Sequence, residues 1–161
     1  MSYASRHRIR PVSLSRLLPL LVCLLLPNAA SAVSLSGQVI AVSDAYRIIF
    51  LTDDGRRLPV ALIGVKLPDA ADRKWREIGK RHLRMLLSGR FVTVDFTMRD
   101  KQGVILGEVR HGGADIGLRL LRSGLAVIRH DAALPATLKT QYLQAQEEAR
   151  RRGMGIWQSP R

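Results

Sequence analysis

The chain has 161 residues, with 26 Lys and Arg against 13 Asp and Glu, a formal net charge of +13. That length suits one modest core, and a single cysteine, Cys23, excludes a disulfide framework. The positive field favours a polyanionic partner, whether nucleic acid, anionic lipid or acidic polysaccharide, and does not choose among them.

Residues 1–32 read as a secretory signal peptide. Arg6, Arg8, Arg10 and Arg16 give a basic start, Leu17 to Leu26 an apolar stretch broken only by Pro19, and Ala30-Ser31-Ala32 a small-residue cleavage signal. So short a stretch does not span a bilayer, although an uncleaved anchor is the plain alternative. Cys23 lies inside the apolar stretch without small residues before it, so it is not read as a lipid attachment site. Cleavage after Ala32 leaves one domain, 33–161, with a net charge of about +9 once the four leader arginines are set aside. The expected location is periplasmic or secreted, with no membrane span after cleavage.

Gly37 to Leu51, rich in Val and Ile with a polar break at Ser43-Asp44, predicts two strands over 37–42 and 46–52. Asp53-Asp54-Gly55 is a hairpin turn signal, and a third strand over 57–65 follows, with Pro59 suggesting an edge or a bulge. Across 71–88 the period changes. Trp75, Ile78, His82, Met85 and Leu86 recur at three- and four-residue spacing, with Lys and Arg between them, which predicts an amphipathic helix stopped by Gly89. Strands over 90–98 and 104–110 flank the turn Asp100-Lys-Gln-Gly103. A short helix over 114–122 precedes Gly124, a short extended piece covers 125–128, and Pro135 opens a last helix over 136–152 that Gly153 stops. Ile156 and Trp157 are expected to pack back onto the domain. The chain is therefore α+β and rich in β. Five strands with about three helices fit a closed barrel of the oligonucleotide-binding (OB-fold) type, which leaves no long unpaired edge.

Several segments together resemble the staphylococcal nuclease-like (thermonuclease) family. They are Val39-Ile-Ala-Val-Ser-Asp-Ala-Tyr-Arg-Ile48, Leu62-Ile-Gly-Val-Lys-Leu-Pro-Asp69, Leu83 to Val94, Asp100-Lys-Gln-Gly-Val104 and Leu120 to Ala126, with Tyr142, Ala149, Arg150 and Gly155-Ile-Trp157 at the end. The resemblance implies hydrolysis of a phosphodiester with one calcium ion. Two carboxylates would hold the metal, a Glu would activate water, and two arginines would neutralise the transition state. Carried over position by position, that set is nearly gone. Tyr46 stands at the first metal carboxylate, with Asp44 at the other acid of the hairpin. Lys66 replaces the second metal carboxylate, and Ala61 and Val104 replace the two arginines. Asp69 alone keeps its character, as an acid at the general-base position. One lost transition-state donor commonly costs about 2.7–4 kcal/mol, and an ammonium at a metal-ligand position repels the ion that a carboxylate would hold. The implied calcium is expected to be lost, leaving no cofactor and no catalysis.

The expectation is an exported binding or accessory module for nucleic acid or another polyanion, with Arg47 and Lys66 as phosphate-binding candidates. One alternative is an active nuclease with a rearranged site built on Asp44 and Asp69. Another is a cell-envelope interaction domain that meets acidic polysaccharide or lipid. His82, His111 and His130 form no short-spaced ligand pair, and Ser43 has no neighbouring His to make it a nucleophile. Trp75 and Trp157 are expected in the core rather than under bases. Arg150-Arg-Arg152 reads as a solvated helix end that complements the dipole, with a phosphate or membrane contact as the alternative.

Overall fold

The computed structural model describes residues 33–68 and 73–158. The proposed leader and Asp69 lie outside the described residues. Strand β1 (Val33–Asp44) runs antiparallel to β2 (Arg47–Thr52), which runs antiparallel to β3 (Arg57–Leu62). The chain leaves β3 through a two-residue strand, β4 (Val65–Lys66), and enters helix α1 (Arg73–Leu87). It returns in β5 (Phe91–Arg99), which pairs with β1, and in β6 (Ile105–His111), which pairs with β5. A parallel pairing of β3 with β6, through Val60↔Ile105, Ala61↔Leu106 and Leu62↔Gly107, closes the ring β1-β2-β3-β6-β5. This is a five-stranded closed barrel of the OB type.

Beyond the barrel, β7 (Ala114–Asp115) leads into α2 (Ile116–Arg122), and β8 (Val127–Ile128) pairs with β4. Helix α3 (Ala136–Arg151) opens behind Pro135, and a single 3₁₀ turn, Gly155–Trp157, ends the described chain. Alternation explains the barrel core. Val39, Ile48, Phe50, Val60, Val94 and Ile105 point inward and are fully buried, and Leu83 and Leu87 of α1 join the same cluster. β-bulges between Val39 and Ala41, Val42 and Asp44, and Phe96 and Met98 bend β1 and β5 as closure requires.

Three differences from the sequence reading have physical causes. β1 begins at Val33 rather than 37, because Val33 to Ser36 find partners on β5 that local composition does not reveal. The third strand ends at Leu62, because Gly64 takes a positive φ of 73° and turns the chain before Val65. Pro59 sits on a local edge, as expected: it pairs with Ile49 on β2, and contact with β6 begins one residue later, so its missing N–H disrupts no ladder on that side. Met85 is not on the buried stripe of α1. Gly79, Leu83 and Leu87 are its buried residues, and Met85 faces solvent.

Candidate functional site

The β1–β2 hairpin, the end of β3, and the β4–β8 ribbon with the loop that follows it converge on a cleft of about 620 Å³. Asp44 pairs with Arg47 across a two-residue turn, so Ala45 and Tyr46 form its tip. Ala45 is buried against Gly79 of α1, whose missing side chain allows the approach. The Leu62 N–H donates to the Tyr46 carbonyl at 3.0 Å and ties the tip to β3. Tyr46 and Arg47 both line the cleft, and the Arg47 guanidinium lies 5.4 Å from the centre of the Tyr46 ring. Directly across from Arg47 on β3 is Ala61, also on the cleft wall.

The opposite wall comes from the small ribbon. Lys66 pairs with Val127, Val65 pairs with Ile128, and the Arg129 N–H donates to the Gly64 carbonyl at 2.8 Å. This brings Lys66, Arg129 and Asp131 to one side of the cleft. Arg129 Nε donates to Asp131 Oδ1 at 3.1 Å. That guanidinium holds the Asp131 carboxyl below its usual range, and the charge of Lys66 adds to the effect. Asp100, from the turn between β5 and β6, contributes the other acid. Its Oδ1 accepts from the N–H groups of Gln102 and Val104, at 2.8 and 2.9 Å, so its task is to hold its own turn.

Tyr46, Ala61, Lys66 and Arg47 are thus brought together. Val104 is not on the cleft wall; its backbone closes the Asp100 turn through hydrogen bonds in both directions. Asp44 is not on the wall either, and its Oδ1 accepts from the Ala45 N–H. A rearranged nuclease site that relies on Asp44 therefore finds that carboxylate committed to the hairpin. Sequence reasoning missed Arg129 and Asp131, and the available signal was slight: a cation two residues before an acid, just after a short apolar pair.

The barrel and its cleft define a protein of the oligonucleotide-binding fold with a cationic rim. Residues 59–159 match the family model for staphylococcal nuclease homologues, and the chain belongs to that family. No curated protein matches it. The family's calcium does not fit the residues present. A hard cation needs converging oxygen ligands, yet among the described residues the cleft walls carry Arg47, Lys66 and Arg129 and two acids, Asp100, which holds its own turn, and Asp131, which is paired with Arg129. Among the described residues, no three His, Cys, Asp or Glu side chains gather in a way that would hold a metal ion.

Proposed function

We propose that this protein is a binding module that has lost phosphodiester hydrolysis and uses its cleft to hold phosphate groups of a polyanion, nucleic acid being the class that fits the fold. The observation that carries this is the placement of Arg47. It is the direct cross-strand neighbour of Ala61, and such neighbours have Cβ atoms about 4.5–5.5 Å apart. A guanidinium missing from β3 is thereby supplied from β2. Lys66 and Arg129 stand on the facing wall. Among the described residues, Arg47, Lys66 and Arg129 line the cleft against Asp100 and Asp131, a balance that favours an anion. The Arg129–Asp131 pair is exposed, so an incoming phosphate displaces it at little cost. Export and removal of residues 1–32 belong to the same reading, supported by the composition of the leader.

Fluorescence anisotropy of a labelled single-stranded oligonucleotide, titrated against salt, tests the proposal. We expect log-linear weakening with salt, and the slope should fall by roughly 0.7 for each phosphate contact removed in Arg47→Ala or Lys66→Ala. Binding that ignores salt, or that both substitutions leave intact, would overturn the cleft assignment. Calcium-dependent cleavage of the oligonucleotide that disappears in Asp69→Ala would overturn the loss of catalysis. Preference for an acidic polysaccharide over the oligonucleotide would replace nucleic acid as the ligand class.

A further inference from the structure

The densest positive charge lies outside the cleft, on α1. That helix carries Arg73, Lys74, Arg76, Lys80, Arg81 and Arg84 and one acid, Glu77. At 100° per residue, Lys74 and Arg81 fall opposite the buried Gly79, Leu83 and Leu87, and Arg84 lies to one side of that buried arc. Just past the helix, Arg90 is exposed as well. Elsewhere several arginines are engaged, although among the described residues Arg57, Arg119, Arg122 and Arg151 are not in ion pairs. Arg56 pairs with Asp54, Arg110 with Glu108, Arg129 with Asp131 and Arg152 with Glu148, and Arg150 lies over the Trp157 ring. Among the described residues, Arg81, Arg84 and Arg90 make no ion pair.

The same end of α1 gathers exposed apolar side chains. Met85 and Phe91 are 69% and 67% exposed, the two most exposed large apolar residues among those described, and Ile40 is 41% exposed. The backbone places all three around the Gly89 turn. Gly89 N–H donates to the Val39 carbonyl and Val39 N–H donates to the Arg90 carbonyl, both at 2.9 Å, which sets Ile40 beside the turn. Phe91 pairs with Gln38 on β1, and Met85 lies one helical turn before Gly89.

From this combination we infer that the face formed by the C-terminal half of α1 and the Gly89 turn docks on an anionic lipid bilayer. Cations ringing protruding apolar side chains match a surface of anionic headgroups over an apolar interior. A nucleic-acid backbone would use the cations and leave the aliphatic Met85 and Ile40 without a role. The face is distinct from the cleft, so the two readings stand or fall separately.

Co-sedimentation of residues 33–161, which form a compact unit without the proposed leader, with vesicles of phosphatidylcholine, with and without phosphatidylglycerol, tests this docking. The wild-type domain should prefer the anionic vesicles. Arg81→Glu, Arg84→Glu and Arg90→Glu combined should reduce partitioning onto them about a hundredfold. Met85→Ser with Phe91→Ser should reduce it about tenfold and leave oligonucleotide affinity within about twofold. All five positions are exposed, and unchanged melting temperatures verify that both variants fold. A charge variant that keeps the wild-type partitioning overturns the inference, as does an apolar variant that does so. Loss of oligonucleotide binding in the charge variant, with vesicle binding unchanged, assigns the face to nucleic acid instead.

Discussion

Where α2 meets the C-terminal turn, backbones touch; at the cleft, contacts run through side chains such as Arg47 over Tyr46 and Arg129 with Asp131. A Cβ added to Gly124 would lie 2.1 Å from the Met154 carbonyl oxygen, and one added to Gly155 would lie 2.2 Å from the Gly124 carbonyl oxygen. The Ile156 N–H donates to that same Gly124 carbonyl at 2.9 Å. In the cleft, by contrast, Arg47, Lys66, Arg129 and Asp131 meet through side chains on walls that strand pairing holds in register. The difference teaches that close backbone packing tolerates few side chains, whereas a cleft rim tolerates more. On the proposed reading, the cleft can change its chemistry while the barrel keeps its shape.

Substituting one glycine from each region gives the sharpest test of that contrast. Gly124→Ala meets both a positive φ of 63° and a backbone oxygen, and should cost about 3–5 kcal/mol. Gly103→Ala, in the turn that carries Asp100, meets only a positive φ of 80° with open space around it, and should cost about 1–2 kcal/mol. Urea unfolding of both variants is the measurement. Equal losses would mean that the junction relaxes freely and the contrast is false.

The packed side also holds a buried titrating group. Asp115 caps α2, its Oδ1 accepting from Leu118 N–H at 3.2 Å, while its Oδ2 is buried with no hydrogen-bond partner among the described residues. Burial pushes its carboxyl above the usual range, against the pull of the neighbouring Tyr142 hydroxyl and the helix N–H groups, and Glu108 adds to the rise. Burial, followed by the Asp115 charge, raises the Tyr142 phenol strongly as well. A carboxyl raised in the folded state holds a proton there that the unfolded chain has released. Its contribution therefore falls as pH rises above about 3.9, the ordinary Asp value. Asp115→Asn keeps the cap and removes this fall, so the stability of the variant relative to the wild type should climb through the carboxylate range and then level off. A flat difference between pH 3 and 7 would refute this.

The smallest effect belongs to His82 on α1. Burial, with Arg119 nearby, holds its imidazole below the usual value. The folded state then resists a proton that the unfolded state accepts, so stability should drop as pH falls through about 6.5. His82→Gln should flatten that part of the profile slightly, as thermal melts between pH 5 and 8 would show. A steeper drop in the variant would count against it.

Much of the barrel is legible in the sequence because its signals are periodic. Residues 90–98 alternate, Asp53-Asp54-Gly55 marks a turn, and Gly89, Gly124 and Gly153 stop helices at the expected places. The extended piece expected over 125–128 contains β8, but its pairing with β4 is not legible, since two-residue strands have no period and pair across a long separation. Met85 shows the limit of helical spacing, which gives a stripe but not which neighbouring residues it covers. At the cleft, Tyr46, Ala61 and Lys66 were visible through family register. Arg129 and Asp131 were not, because a charged residue in a loop carries no mark until the fold brings it to a wall. Arg47 was a candidate by charge, and only strand register revealed that it faces Ala61.

The barrel closes through three residue pairs that join the third strand to one formed much later in the chain. Until Ile105 to Gly107 have been synthesised and brought back, Val60 to Leu62 present bare amides and carbonyls to any passing strand. The step that seals the cylinder brings together segments distant in sequence, which slows folding and lengthens exposure to aggregation. A chaperone that shields this unfinished seam would do more for the yield of soluble protein than any added contact in the finished core.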